Sequence, residues 1–336
     1  MRPAKARKRA SVVDVAQRAG VSQATVSRVF DPKWAGRIRP ETRRLVEEAA
    51  AALDYRGANP LARSLQGGPS GMVALVADAA SCFDQELTMK LIRRLHAAGQ
   101  QVLLFETEPA GDLPSLLSRI RCYPADGIVI TAAAASQRMD AFPATDIPTV
   151  VLNRPVTARV CSAVYCDSAV ASAAAADFLL EHGHRRLCVI TANQSPFQEP
   201  HRLEGFCTRA QERGGGILEV VDADCCYESG YEAACQLLER QRPDAIFCLE
   251  DSVAMGVMDA ARERFGLRVP EDLSVMGFGG ADLGRLRPYS LTTVAHPTDA
   301  MLDAAAALLQ AMIREPALRQ TRIFDMELVV RKSVRL

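Results

Sequence analysis

From residue 71 onward the chain alternates short apolar runs with longer amphipathic stretches, and this alternation constrains its architecture more than any other feature. The runs Met72–Val76, Gln101–Phe105, Gly127–Ile130, Thr149–Leu152, Leu187–Ile190, Ala245–Leu249 and Leu273–Gly277 have strand length and composition. Between them lie helix-like stretches such as Gln85–Ala98, Ala169–His182, Leu203–Arg213, Tyr231–Arg240 and Ser252–Phe265. Strand–helix alternation predicts parallel, doubly wound sheets, because each crossover helix must cover a sheet face. The number of units predicts two such sheets side by side. Ligands of these folds bind beyond the C-terminal ends of strands, here in a cleft between two lobes.

Composition supports a packed protein with a separate basic head. The 336 residues are 49% apolar and carry no net charge. That balance conceals a split: residues 1–70 hold fourteen Lys and Arg against six Asp and Glu, leaving twenty-six against thirty-four. A cationic head on an anionic body suggests that the head seeks a polyanion. The basic start (Arg2, Lys5, Arg7, Lys8, Arg9) runs into Asp14 without the apolar segment of a secretory signal. No run approaches about 18 apolar residues, so a cytoplasmic protein without a membrane span is expected. Ten cysteines occur without a CxxC pair, which fits buried thiols in a reducing compartment. The Cys225–Cys226 pair leaves open a redox or pocket-lining role. His182 and His184 lack further ligands at metal spacing and read as part of a helix-to-strand turn. No metal and no cofactor is expected.

Within the head, Ser11-Val-Val-Asp14 has the form of a capping box, and the helix that it starts ends at Gly20. Ser22 reads as the N-cap of a second helix reaching about Phe30, so two short helices meet at Gly20-Val21 as in a helix-turn-helix. At about 100° per residue, Ser22, Val26, Val29 and Phe30 share the arc expected to pack on the first helix, whereas Gln23, Ala24, Ser27 and Arg28 share the outward arc. That outward set can read DNA. Arg28 can donate two hydrogen bonds to guanine O6 and N7, Gln23 can pair with adenine, and Ala24 can touch a thymine methyl. Thr25 lies at the border and is expected to contact phosphate or pack. A third helix starts at Pro40 and runs to about Leu53, with Leu45, Ala49 and Ala52 as its expected core stripe. Beyond Tyr55 a linker carries a short helix with Asn59 as N-cap and Pro60 at its first position, closed by Gly67-Gly-Pro-Ser70. A helix this short forms only when something packs against it, which suits a switch.

Three runs together resemble the lactose/galactose repressor family: Val13-Asp-Val-Ala-Gln-Arg-Ala-Gly-Val-Ser-Gln-Ala-Thr-Val-Ser-Arg-Val29, Pro40-Glu-Thr-Arg43 and Leu61-Ala-Arg-Ser-Leu65. The resemblance implies that Gln23, Ala24 and Arg28 occupy base-reading positions, with Thr25 and Ser27 beside them. It implies that Leu61–Leu65 falls on a hinge helix that pairs with its partner's in the minor groove, with Leu65 at the DNA interface; Asn59 and Arg63 beside it are expected DNA contacts. Leu65 would then be wedged between base pairs, an apolar insertion that unstacks a step and bends the duplex. Three departures stand out. The loop Asp31-Pro-Lys-Trp-Ala-Gly-Arg37 is longer than in the family and brings Lys33 and Trp34, suited to phosphate or inter-domain contacts. Arg39 stands where a capping Ser is usual. Gly57-Ala-Asn-Pro60 alters the hinge register, and with it the expected half-site spacing.

The resemblance continues through Ala125-Asp-Gly-Ile-Val-Ile130, Glu181-His-Gly-His-Arg-Arg-Leu187, Arg202-Leu-Glu-Gly-Phe206, Val269-Pro-Glu-Asp-Leu-Ser-Val-Met-Gly-Phe278 and Leu291-Thr-Thr-Val294. It implies a periplasmic-binding-protein-like core of two lobes, crossed by the chain near Tyr165, His296 and Leu328. Its ligand positions fall on Phe83, Asn153, Arg202, Glu250 and Gly279. Arg202 is the strongest of these, since a guanidinium in a cleft binds carboxylate, phosphate or hydroxyls through a fixed fork; its alternative is a structural salt bridge. Glu250 replaces an Asn, and Phe278-Gly-Gly280 replaces a segment with hydroxyl-gripping carboxylates. Loss of a carboxylate removes a repulsive element against anions. Glu250 argues the other way unless it meets Arg202 or a cationic group. The expected effector is a small polar metabolite, a sugar or sugar acid.

Taken together, the expected domains are a helix-turn-helix at 1–56, a hinge at 57–70 and a two-lobed core at 71–336, with lobe one at 71–164 and 297–327 and lobe two at 165–296 and 328–336. The expected function is that of a sequence-specific transcriptional regulator, a repressor, controlled by an effector between the lobes. Two chains would pair to read a near-palindromic operator; a homodimer is expected because no heptad tail follows the core. The alternative is a solute-binding protein or metabolite sensor with no DNA-dependent role. An enzyme is not expected. Gly277-Phe-Gly279 lacks the third glycine of a dinucleotide loop, Asp299, about twenty residues on, falls at a helix start, and no GxSxG, Walker or HExxH motif occurs.

Overall fold

The computed structural model describes residues 10–30, 34, 36–55, 68–77, 82–107, 113–131, 145–156, 161–192 and 198–336, with residues 82–84 and 198–200 described through their backbone alone. The chain divides into two compact units, residues 1–70 and 71–336.

The first unit holds helices α1 (Val12–Ala19), α2 (Gln23–Val29) and α3 (Pro40–Ala52). Local chemistry sets their limits. The Ser11 amide donates to Asp14 Oδ2 at 2.7 Å while the Asp14 amide donates to Ser11 Oγ at 3.4 Å, completing the capping box. Gly20, at φ 66°, ends α1 in the left-handed region that glycine enters without strain. Ser22 Oγ accepts from the Thr25 amide at 3.1 Å and starts α2. Arg39 precedes α3 without a side-chain cap, so Pro40 at the first helical position defines that end.

Val15, Ala16, Val26, Val29, Val46, Ala49 and Ala50 form the buried centre of this unit. The stripe expected on α3 is corrected by one step of rotation. Leu45 is 45% exposed and Ala52 is exposed, whereas the arc through Val46, Ala49 and Ala50 faces the other helices. Phe30 likewise stays partly open and meets Tyr55 edge-on, with ring centroids 5.6 Å apart.

The second unit contains two six-stranded sheets among the described residues. The first combines β1 (Met72–Ala77), β2 (Gln101–Glu106), β3 (Gly127–Ile130), β4 (Thr149–Leu152), β5 (Ser162–Cys166) and β11 (Thr321–Phe324), in the order β11-β5-β4-β3-β1-β2, all parallel. The second combines β6 (Arg186–Ile190), β7 (Gly216–Val221), β8 (Ala245–Cys248), β9 (Ser274–Gly279), β10 (Thr292–Ala295) and β12 (Glu327–Val329), in the order β12-β10-β9-β8-β6-β7. There β12 runs antiparallel to β10. Central strands are buried on both faces and so read as unbroken apolar runs.

The crossovers are α4 (Cys82–Ala97), α5 (Leu113–Ile120), α6 (Ser168–Glu181), α7 (Gln198–Glu212), α8 (Tyr227–Arg240), α9 (Asp251–Phe265) and α10 (Thr298–Arg314). The chain passes between sheets three times: after β5, after β10 and in the short step from β11 to β12. Separate apolar clusters cover the two faces of the first sheet, and one large cluster around Phe206, Phe247 and Phe278 fills the second lobe.

Glycines permit the closest helix contacts. A Cβ on Gly205 would lie 2.4 Å from the Ala169 carbonyl oxygen, and one on Gly256 would lie 2.1 Å from that of Tyr227. The α6/α7 and α8/α9 pairs therefore pack backbone to backbone. His182 and His184 flank Gly183, whose φ of 85° turns the chain from α6 into β6.

Candidate functional sites: an exposed helix face and a polar cluster at strand ends

The first site is the outer face of α2. Val26 and Val29 are buried in the head, while Gln23, Ala24, Ser27 and Arg28 are exposed. Thr25 is half-buried, and its hydroxyl lies 2.9 Å from Ser22 Oγ, so it secures the helix start. The Arg43 guanidinium donates to the Val29 carbonyl at 3.3 Å and ties α3 to the end of α2. The Arg28 guanidinium carbon stands 4.7 Å from the centre of the Trp34 ring, and that of Arg37 stands 6.0 Å away on the same indole. The hinge residues Asn59, Arg63 and Leu65, and also Lys33, lie outside the described residues.

The second site gathers at the C-terminal ends of β8 and β9. Arg202, on α7 and 8% exposed, donates to the Leu249 carbonyl at 2.8 Å and lies 4.2 Å over the Phe278 ring. Glu250, buried, occupies the N-cap position of α9 without a side-chain capping bond, and Gly279 ends β9 at φ 125°, a backbone suited to glycine. A side chain on Gly279 would place its Cβ 3.5 Å from Glu250 Oε2, so the structure brings Arg202, Glu250 and Gly279 into one neighbourhood around Phe278. Asn153 ends β4 in the other sheet at φ 63°, a conformation that Asn tolerates better than most residues; its amide donates to the Val164 carbonyl at 2.7 Å. The Phe83 side chain lies outside the described residues.

Two residues of this region were missed as site candidates. Asp251, fully buried, accepts from the Gly280 and Ala281 amides at 2.7 and 2.6 Å through Oδ2, and from the Thr293 hydroxyl at 2.6 Å through Oδ1. It fixes the turn that carries Gly279 and Gly280. Burial pulls its carboxyl pKa above the usual range, against these hydrogen bonds. His296 sits where the chain leaves β10, edge-on to Phe278 at 6.1 Å. Burial, reinforced by the Arg202 charge, pushes its pKa down to about 3, so the imidazole is neutral. The sequence offered one clue to Asp251: an acidic pair directly after a buried strand.

The cysteine chemistry is subdued. Burial pushes the Cys188 and Cys161 thiols up to about 11 and that of Cys166 up to about 12, which suppresses thiolate reactivity. Cys225 is buried and Cys226 half-buried. Among the described residues no cluster of His, Cys, Asp or Glu could hold a metal ion, and no helix is long and apolar enough to cross a membrane.

A helix-turn-helix with an exposed, basic second helix, followed in the same chain by a two-lobed α/β core with a polar cluster at its strand ends, defines a ligand-responsive DNA-binding regulator. Residues 11–57 match the model of the bacterial regulatory proteins of the lacI family, and residues 176–334 match that of a periplasmic-binding-protein-like domain. The HTH-type transcriptional regulator DegA of Bacillus subtilis is 32% identical over 87% of this chain and 88% of its own. The HTH-type transcriptional repressor CytR of Escherichia coli is 29% identical over 97% of this chain and 96% of its own. In three dimensions the lac repressor dimer bound to operator and an anti-inducer superposes with a TM-score of 0.82 at 23% identity, covering 98% of this chain and all of that one. The chain belongs to the lacI family of bacterial regulatory proteins.

Proposed function

We propose that this protein represses transcription by binding a near-palindromic operator as a homodimer, with operator affinity set by a small polar metabolite held between the lobes. The observation that carries this reading is the division of α2 into a buried Val26/Val29 side and an exposed Gln23, Ala24, Ser27, Arg28 side, in a head rich in Lys and Arg. Arg28 and Gln23 supply base readout, Ala24 an apolar contact, and Ser27 and Thr25 polar contacts at the groove edge. The surrounding cations supply affinity through phosphate contacts. Asn59, Arg63 and Leu65 extend the interface into the minor groove, and residues 57–70 act as the hinge.

Pairing of two chains is supported by the exposed apolar residues on both sheet edges. Leu104 on β2 is 57% exposed, and Leu218 and Val220 on β7 are 37% and 41% exposed. Open apolar edges of this kind call for a covering partner. CytR and the lac repressor structure support the repressor reading by family. A purely solute-binding role is set aside, because residues 11–57 match a regulatory family.

For the effector, Arg202, seated on the buried Phe278 ring, offers a fixed fork to carboxylate, phosphate or hydroxyl groups, with Asn153 and Glu250 as further polar groups. A sugar or sugar acid fits this set. Ligand shifts the lobes, the hinge segment transmits the shift, and DNA affinity follows. The test is to sequence the genomic fragments that the purified protein retains, then titrate the retained operator with sugars and sugar acids. Retention of one palindromic class and its release or tightening by a panel member supports the reading; retention of no preferred fragment contradicts it.

A further inference from the structure

The loop between α2 and α3 carries the chain's single tryptophan. Trp34 stays outside the apolar centre of the head and is half-buried. Two described guanidinium groups approach its ring. The Arg28 guanidinium lies over the ring at 4.7 Å and the Arg37 guanidinium approaches it at 6.0 Å, while the Arg37 amide donates to the Trp34 carbonyl at 3.0 Å. Arg28 is also the residue with the strongest chemistry for guanine on the exposed side of α2.

A cation–π contact engages the face of a guanidinium and leaves its N–H edge available. A bidentate contact to guanine uses that edge. The two interactions are compatible on one arginine. An Arg on an exposed helix otherwise samples many rotamers and loses that freedom when a base fixes it.

We propose that Trp34 is a positioning residue for base readout, whose indole face pre-orders the Arg28 guanidinium so that discrimination at the base pair read by Arg28 depends on Trp34. The proposal rests on the assignment of α2 to the major groove. Trp34 acts through Arg28 and does not itself read sequence. Arg37, on the same ring, adds positive charge beside the duplex.

The test uses the full-length protein, its selected operator, and duplexes carrying single base-pair changes at each position, with affinities measured by anisotropy. Arg28→Ala first identifies the base pair that loses discrimination. Trp34→Ala is then expected to reduce discrimination at that base pair by roughly three- to tenfold, while affinity for unrelated duplex stays within about twofold. Trp34→Phe keeps a ring face and is expected to retain most of the discrimination. As the sole indole, Trp34 also reports directly: its emission in the DNA-free protein is expected to shift in Arg28→Ala. Uniform weakening of every duplex by Trp34→Ala would make Trp34 a phosphate contact and overturn the proposal, as would unchanged discrimination or an emission spectrum indifferent to Arg28. If Arg28→Ala leaves all base preferences intact, the α2 readout assignment falls, and the proposal falls with it. Thermal unfolding of the Trp34 variants separates these outcomes from loss of the head fold.

Discussion

The Asp251 carboxylate occupies the space that a side chain at Gly277 would need: a Cβ there would lie 2.2 Å from Asp251 Oδ1. The glycine that superficially suggests a dinucleotide loop instead admits a buried acid, and that acid holds the turn on which Gly279 and Gly280 present their backbone. Gly277→Ala is expected to destabilise the core by about 2–4 kcal/mol, and Asp251→Ala by about 3–5 kcal/mol through the loss of three buried hydrogen bonds. Urea unfolding of the core checks both. Affinity of the head for unrelated duplex should not change.

The close helix pair α8/α9 gives a second stability test. Gly256→Ala would press a methyl group against the Tyr227 carbonyl, a backbone atom that cannot move alone. A loss of about 2–3 kcal/mol is expected, with the urea midpoint as readout.

How much of this was legible in the sequence depends on the distance over which each feature is determined. Ser11, Asp14, Gly20 and Ser22 act within a few residues, so the head helices and their limits could be read directly. Central strands such as Gly127–Ile130 and Ala245–Cys248 were legible because burial on both faces writes an apolar run. Strands β7 and β11 lie at sheet edges and carry exposed or half-exposed residues throughout, so Gly216–Val221 and Thr321–Phe324 leave no such run. The α3 stripe was misread because Leu45 is the larger apolar residue, yet the neighbouring Val46 arc meets α1 and α2. The roles of Asp251 and His296 depend on Thr293, Gly280, Phe278 and Arg202, which are remote along the chain for at least one of the two, and no local pattern could supply them.

Protonation of His296 should couple to core stability. Its pKa in the folded protein is about 3 against the ordinary 6.5, so the unfolded chain binds more protons between these values. Stability is therefore full above about pH 6.5 and declines as pH falls toward 3, with a limiting slope of about 1.4 kcal/mol per pH unit for this group. The pKa of buried His184 is lowered too, and it adds to the same trend. Urea midpoints at pH 7 and pH 5 should differ less in His296→Asn than in the wild type.

Arg202 is the pivot of the proposed effector site, being bonded to the Leu249 carbonyl and stacked on Phe278. Arg202→Ala is expected to abolish the effector response, with at least about a tenfold loss in effector affinity. Operator affinity without effector should be retained, which separates a ligand role from a folding role. Isothermal titration and operator anisotropy give the two readouts.

Selection of binding sequences from a random duplex pool, run in parallel with wild type and Arg28→Ala, tests the central claim most directly. Wild type should enrich a near-palindromic sequence, and its affinity should fall steeply with salt as phosphate contacts are screened. Arg28→Ala should lose preference at one position in each half-site and keep the rest. Recovery of the same sequence by both proteins, or enrichment of none by either at low ionic strength, would contradict the account.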